Sequence, residues 1–126
     1  MTLEVPKLAG TVLAAEATLA DRMIAANLVG TADNESRAEL DVFIKALHAE
    51  AVRLTVQQVE IDLRRLEFMN SSCFKSFVTW INDIQELEPT SQYKVKFLSN
   101  PNLHWQKRSL HSLRCFAVEL ISIIEQ

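Results

Sequence analysis

The chain predicts an α/β fold built on a mixed sheet, and three observations carry that prediction. Val59, Ile61 and Leu63 alternate with Glu60, Asp62 and Arg64, the period of two of a strand buried on one face. Leu40, Phe43, Ile44, Leu47 and Ala51 recur at three and four residues, which draws one apolar stripe along a helix. Strand-like and helix-like segments then alternate to the last residues, a pattern that implies parallel neighbours joined by right-handed crossovers.

Taken in order, Thr11–Leu19 and Arg22–Val29 are apolar, alanine-diluted runs separated by Ala20-Asp21, read as a hairpin at the antiparallel edge of the sheet. Alanine favours helix, so one interrupted helix over Thr11–Asn27 is the competing reading. Gly30 is expected to end the second strand. Ser36-Arg37-Ala38-Glu39 has capping-box spacing and predicts a helix start. After the strand at 59–63, a short connection leads to Asn70-Ser71-Ser72 and a helix whose apolar face is Phe77, Val78, Ile81 and Ile84. Glu88-Pro89 breaks it. Tyr93, Val95 and Phe97 mark another strand. Ser99-Asn100-Pro101 predicts a third helix from Pro101 to about Leu113, and the branched aliphatics of Val118–Ile124 form a last strand.

A chain of 126 residues has the length of one domain, here 1–126, with 1–10 as a loose leading segment. Hydrophobic residues at 48% and charged residues at 23% argue against disorder, and a net charge of −3 argues against a coat for nucleic acid or anionic membrane. The start lacks the charged and apolar regions of a signal peptide, and no apolar run approaches the ~20 residues of a membrane helix. Cys73 and Cys115 form no metal-spaced pair, so reduced thiols and a cytoplasmic setting are expected.

The chemistry concentrates at Asn70-Ser71-Ser72-Cys73. Asparagine and serine are good N-cap residues, so a capping role alone accounts for them. A phosphate on Ser71 or Ser72 would also be tolerated there, beside backbone N–H groups without intrahelical partners. Their frame favours the second role. Met23 to Asp33, then a helix, then Val59 to Cys73 with its Phe68-Met69-Asn70-Ser71-Ser72 string resembles the STAS domain of bacterial anti-sigma factor antagonists, from Arg22 onward.

That resemblance implies a sheet of four or five strands with helices mainly on one side. It also implies a non-enzymatic regulator whose Ser71 is phosphorylated by a partner anti-sigma-type serine kinase. Asn70, Ser71, Ser72, Cys73, Asp33 and Asn34 would form the partner surface. Two residues depart from the family pattern: Asn70 stands where the family has aspartate, and Cys73 where it has glycine, adding a side chain where a partner approaches. A constitutive docking or homodimer module without a phospho-switch is the alternative.

Other candidates are weaker. Cys73 near a helix N-terminus invites a redox role, against which a small buried packing residue is favoured. Lys107, His111 and Arg114 share a helix face with Arg108 nearby, and a solvated face is favoured over a binding one. Trp80 and Trp105 read as core. His48, His104 and His111 fit no metal-ligand spacing, and neither a triad, a P-loop nor a G-x-G-x-x-G is present, so neither cofactor nor catalysis is expected.

Overall fold

The computed structural model describes residues 3–126. Its elements are β1 (Leu8–Ala9), β2 (Leu13–Ala20), β3 (Met23–Ala32), α1 (Arg37–Arg53), β4 (Gln58–Met69), α2 (Ser71–Gln85), β5 (Lys94–Ser99), α3 (His104–Phe116) and β6 (Ile121–Glu125). They build one six-stranded sheet in the order β1-β2-β3-β4-β5-β6. The first two pairings are antiparallel and the rest parallel. Because every helical crossover advances the same way, right-handedness places α1, α2 and α3 on the same face of the sheet. There α1 packs on α2 and α2 on α3.

The predicted core forms. Phe43, Leu47, Ile61, Leu63, Phe77, Ile81, Val95, Phe97 and Ile121 are all buried, and the interrupted-helix alternative for Thr11–Asn27 gives way to the β2–β3 hairpin. Its turn carries Asp21 at φ +55°, a left-handed position that a short polar side chain tolerates. Trp80 is fully buried, whereas Trp105 is half-buried and its indole N–H has no partner among the described residues. Lys107, Arg108, His111 and Arg114 are all exposed on α3.

Several boundaries differ from the sequence reading. The leading segment is not loose throughout: β1 pairs with β2, and Leu3 and Val5 pack against the core, while residues 1 and 2 of the 1–10 expectation lie outside the described residues. This pairing makes the sixth strand. Gly30 bends β3 instead of ending it. Its φ is +110° and a Cβ there would sit 2.1 Å from the Val12 carbonyl oxygen, so only glycine lets β2 approach while β3 continues to Ala32.

No capping box forms at α1. Ser36 is buried, and its hydroxyl bonds back to the Thr31–Asp33 segment while Asp33 Oδ1 accepts the N–H groups of Glu35 and Ser36. The third helix starts at His104 because Asn100 captures the preceding residues. Asn100 Oδ1 accepts the Asn102 N–H at 2.9 Å and its carbonyl accepts the Leu103 N–H, a turn with Pro101 at its second position. At the far end Ala117–Leu120 is also a turn, so β6 begins at Ile121 and Val118 stays exposed.

The connection between β4 and α2 is Asn70 alone. The strand runs 12 residues to Met69. It pairs with β5 only as far as Asp62 but stays on β3 to its end, Thr31 opposite Phe68 and Ala32 opposite Met69. Beyond Asp62 the β5 side of β4 is closed by side chains. Gln106 Nε2 donates to the carbonyls of Leu63 and Leu66, and Asn100 Nδ2 to that of Arg64. Among the described residues, no helix is long and apolar enough to cross a membrane.

Candidate functional site

β3 and β4 are parallel, so their carboxyl ends open on the same edge of the sheet and the loops leaving them must meet. The junction is closely tied. The Asn70 N–H donates to the Ala32 carbonyl at 2.9 Å, and Asn70 Nδ2 donates to Asn34 Oδ1 at 2.8 Å. Asn70 Oδ1 accepts the Cys73 N–H at 2.9 Å, with Asn70 extended at φ −79° and ψ 171°. One side chain therefore caps α2 and holds the neighbouring loop.

Ser71 is the first residue of α2 and is exposed, its hydroxyl without a partner among the described residues. Ser72 is half-buried. Asp33 is half-buried and Asn34 exposed, so five of the six predicted residues lie at or near one surface.

Cys73 is the correction. Its side chain is fully buried, with Sγ donating to the Asp33 carbonyl at 3.4 Å. As the third residue of the helix it turns toward the core and does not stand on the exposed surface with Ser71. Burial, reinforced by the negative charge of Asp33 and Asp41, raises its pKa, the opposite of a reactive thiolate. Cys115 is a free thiol on the exposed surface.

The sequence reading missed the surroundings of this surface. A groove of about 430 Å³ between α1 and α2 is lined by Ser72 together with Arg37, Lys45, His48, Lys75 and Asp83. Lys75 had a signal in the sequence, since four residues from Ser71 on a helix is the spacing of neighbours. Arg37 had none, because only the meeting of α1 with α2 brings it there. Within the groove Ser76 Oγ donates to Asp41 Oδ1, tying the helices together. Phe68, two residues before Asn70, is 48% exposed, a large apolar side chain left in solvent beside the junction. The basic residues of α3 do not line this groove. Among the described residues, no group of three His, Cys, Asp or Glu side chains is arranged to hold a metal ion.

No protein-family model matches the chain, and comparison with curated proteins finds no match. Solved structures do resemble it. An anti-sigma factor antagonist from Mycobacterium paratuberculosis aligns over 93% of this chain and 89% of its own, at 15% identity and a TM-score of 0.66. The anti-sigma factor antagonist SpoIIAA in its unphosphorylated form aligns over 86% of each chain, at 15% identity and a TM-score of 0.48. The chain has the STAS-like fold of anti-sigma factor antagonists, a mixed sheet with its helices on one side.

Proposed function

We propose that this chain is a non-enzymatic, cytoplasmic regulatory protein of the anti-sigma factor antagonist kind, binding an anti-sigma factor or related serine kinase through the surface around Ser71 and released by phosphorylation there. The observation that carries this reading is the exposed Ser71 hydroxyl at the start of α2, without a partner among the described residues and framed by Asn70, Asn34 and Asp33.

The electrostatics are consistent with a switch. A phosphate of roughly −2 charge at the positive end of a helix costs the fold little, since negative charge there is favourable by about 0.3–1 kcal/mol per unit. The same charge opposes an interface matched to a neutral hydroxyl. Fold and interface thus respond oppositely to one modification, which is what a binding switch requires.

A second reading, a constitutive docking or homodimer module, is favoured by Asn70. Its amide caps α2 and holds Asn34, a structural role that does not require phosphate chemistry. Incubation with the cognate kinase and Mg-ATP, followed by intact mass and peptide mapping, separates the two. A single phosphate on Ser71, absent in Ser71→Ala, supports the switch. No phosphate on the wild type or on Asn70→Asp leaves the docking module.

A further inference from the structure

The groove between α1 and α2 has a hydrogen-bond chain at its base whose proton positions follow from donor and acceptor counting. Trp80 Nε1 lies 2.8 Å from Tyr93 Oη, and His48 Nδ1 lies 2.6 Å from the same oxygen. Indole N–H is only a donor, so the Tyr93 oxygen accepts from Trp80. The phenol proton is then free for His48. Tyr93 and Trp80 are each 1% exposed, so no water replaces a missing partner. Only one arrangement satisfies every group: Tyr93 O–H donates to an unprotonated Nδ1, and neutral His48 carries its proton on Nε2.

Protonated His48 breaks that arrangement. Both ring nitrogens would be donors, the Tyr93 oxygen would face two N–H groups, and its own buried proton would have no acceptor. We propose that the His48–Tyr93–Trp80 chain is a proton-sensitive latch joining α1, α2 and the entry to β5, closed only while His48 is neutral. The charged groups that share its groove are Lys45, Asp41 and Arg37 from α1 and Lys75 and Asp83 from α2. Burial lowers the His48 pKa from its usual 6.5, and Asp83 opposes that change. Burial also raises the phenol of Tyr93, which therefore stays protonated throughout. Since the unfolded chain takes up the histidine proton first, the latch contributes in full above about pH 6.5 and loses its contribution as pH falls toward the lower folded value. Ser72 lines the same groove, so the latch and the candidate surface border one cavity.

Long-range nitrogen–proton NMR of the histidine rings, recorded from pH 8 to pH 4.5, tests this on the whole chain. The latch requires His48 in the Nε2–H form at neutral pH, a His48 midpoint below 6.5, and movement of the Trp80 indole N–H resonance with that same midpoint. In Tyr93→Phe the His48 midpoint should rise. In His48→Gln, which keeps an acceptor but does not titrate, the Trp80 resonance should stay fixed over this range. An Nδ1–H form in the wild type, or a Trp80 resonance that still shifts in His48→Gln, overturns the proposal.

Discussion

Asn70 donates its side-chain amide to Asn34 Oδ1 at 2.8 Å and, with the Cys73 thiol bonded to the Asp33 carbonyl, ties the first turn of α2 to the loop before α1. The bond has a direction, because an amide has both a donor and an acceptor and an aspartate has only acceptors. Asn70→Asp forces Asn34 to turn its own NH₂ inward. Its cap to Cys73 survives, and the carboxylate gains from the helix end, so stability should stay within about 0.5 kcal/mol of wild type. Asn70→Ala, which loses cap and bridge, should cost about 1 kcal/mol. Asn70→Asp with Asn34→Asp places two carboxylates in contact and should be less stable than the sum of the single changes by roughly 0.5–1 kcal/mol in urea denaturation.

Gln106 supports the strand that presents this surface. It is fully buried, its NH₂ serves the carbonyls of Leu63 and Leu66, and its carbonyl accepts the Asn100 N–H at 2.8 Å. Gln106→Ala strands three backbone groups at once. The expected loss is about 2–4 kcal/mol by urea or thermal unfolding. Gln106→Leu should not recover it, because restored packing leaves the same groups unpaired.

Glu50 predicts an acid-sensitive tether. It accepts from Arg53 Nε at 2.6 Å and from the Glu4 N–H at 2.6 Å, and these bonds hold its carboxyl at about 2, well below the usual 4.5. With the folded value depressed, the stabilisation is present above pH 4.5 and lost as pH falls toward 2. Urea midpoints measured across that window should fall more steeply for wild type than for Glu50→Gln, and parallel curves would contradict the assignment.

The two thiols should separate cleanly. Cys115 is exposed and Cys73 buried, so an aromatic disulfide reagent at pH 8 should modify one thiol quickly in native protein and both after denaturation. Equal fast reaction of both would mean that α2 opens at its first turn.

Much of the fold was legible because its signals are local. The alternation at 59–63 and the helical stripe from Leu40 to Ala51 each decide burial over a few residues, and both segments sit as their periods require. The misread boundaries share a different cause. In the sequence Ser36 reads as a cap partner of Glu39, yet Asp33 and the end of β3 compete for its hydroxyl, and that competition exists only when the loop is folded. Pro101 reads as the first residue of α3, yet the bonds of Asn100 to Asn102 and to the Gln106 side chain delay the helix start to His104, three residues later. At the site, Asn70 and Ser71 could be found from cap chemistry, whereas the inward direction of Cys73 and the presence of Arg37 depend on how α1 meets α2.

The measurement that tests the central claim most directly is the affinity of the cognate anti-sigma factor or kinase for unphosphorylated chain, for chain phosphorylated at Ser71, and for Ser71→Asp, with circular dichroism confirming that all three are folded. A switch predicts a folded protein in every case, tight binding by the unphosphorylated form, loss of binding on phosphorylation, and an intermediate loss for Ser71→Asp, whose single carboxylate is a weaker perturbation than a phosphate. Equal affinity of all three forms would contradict it.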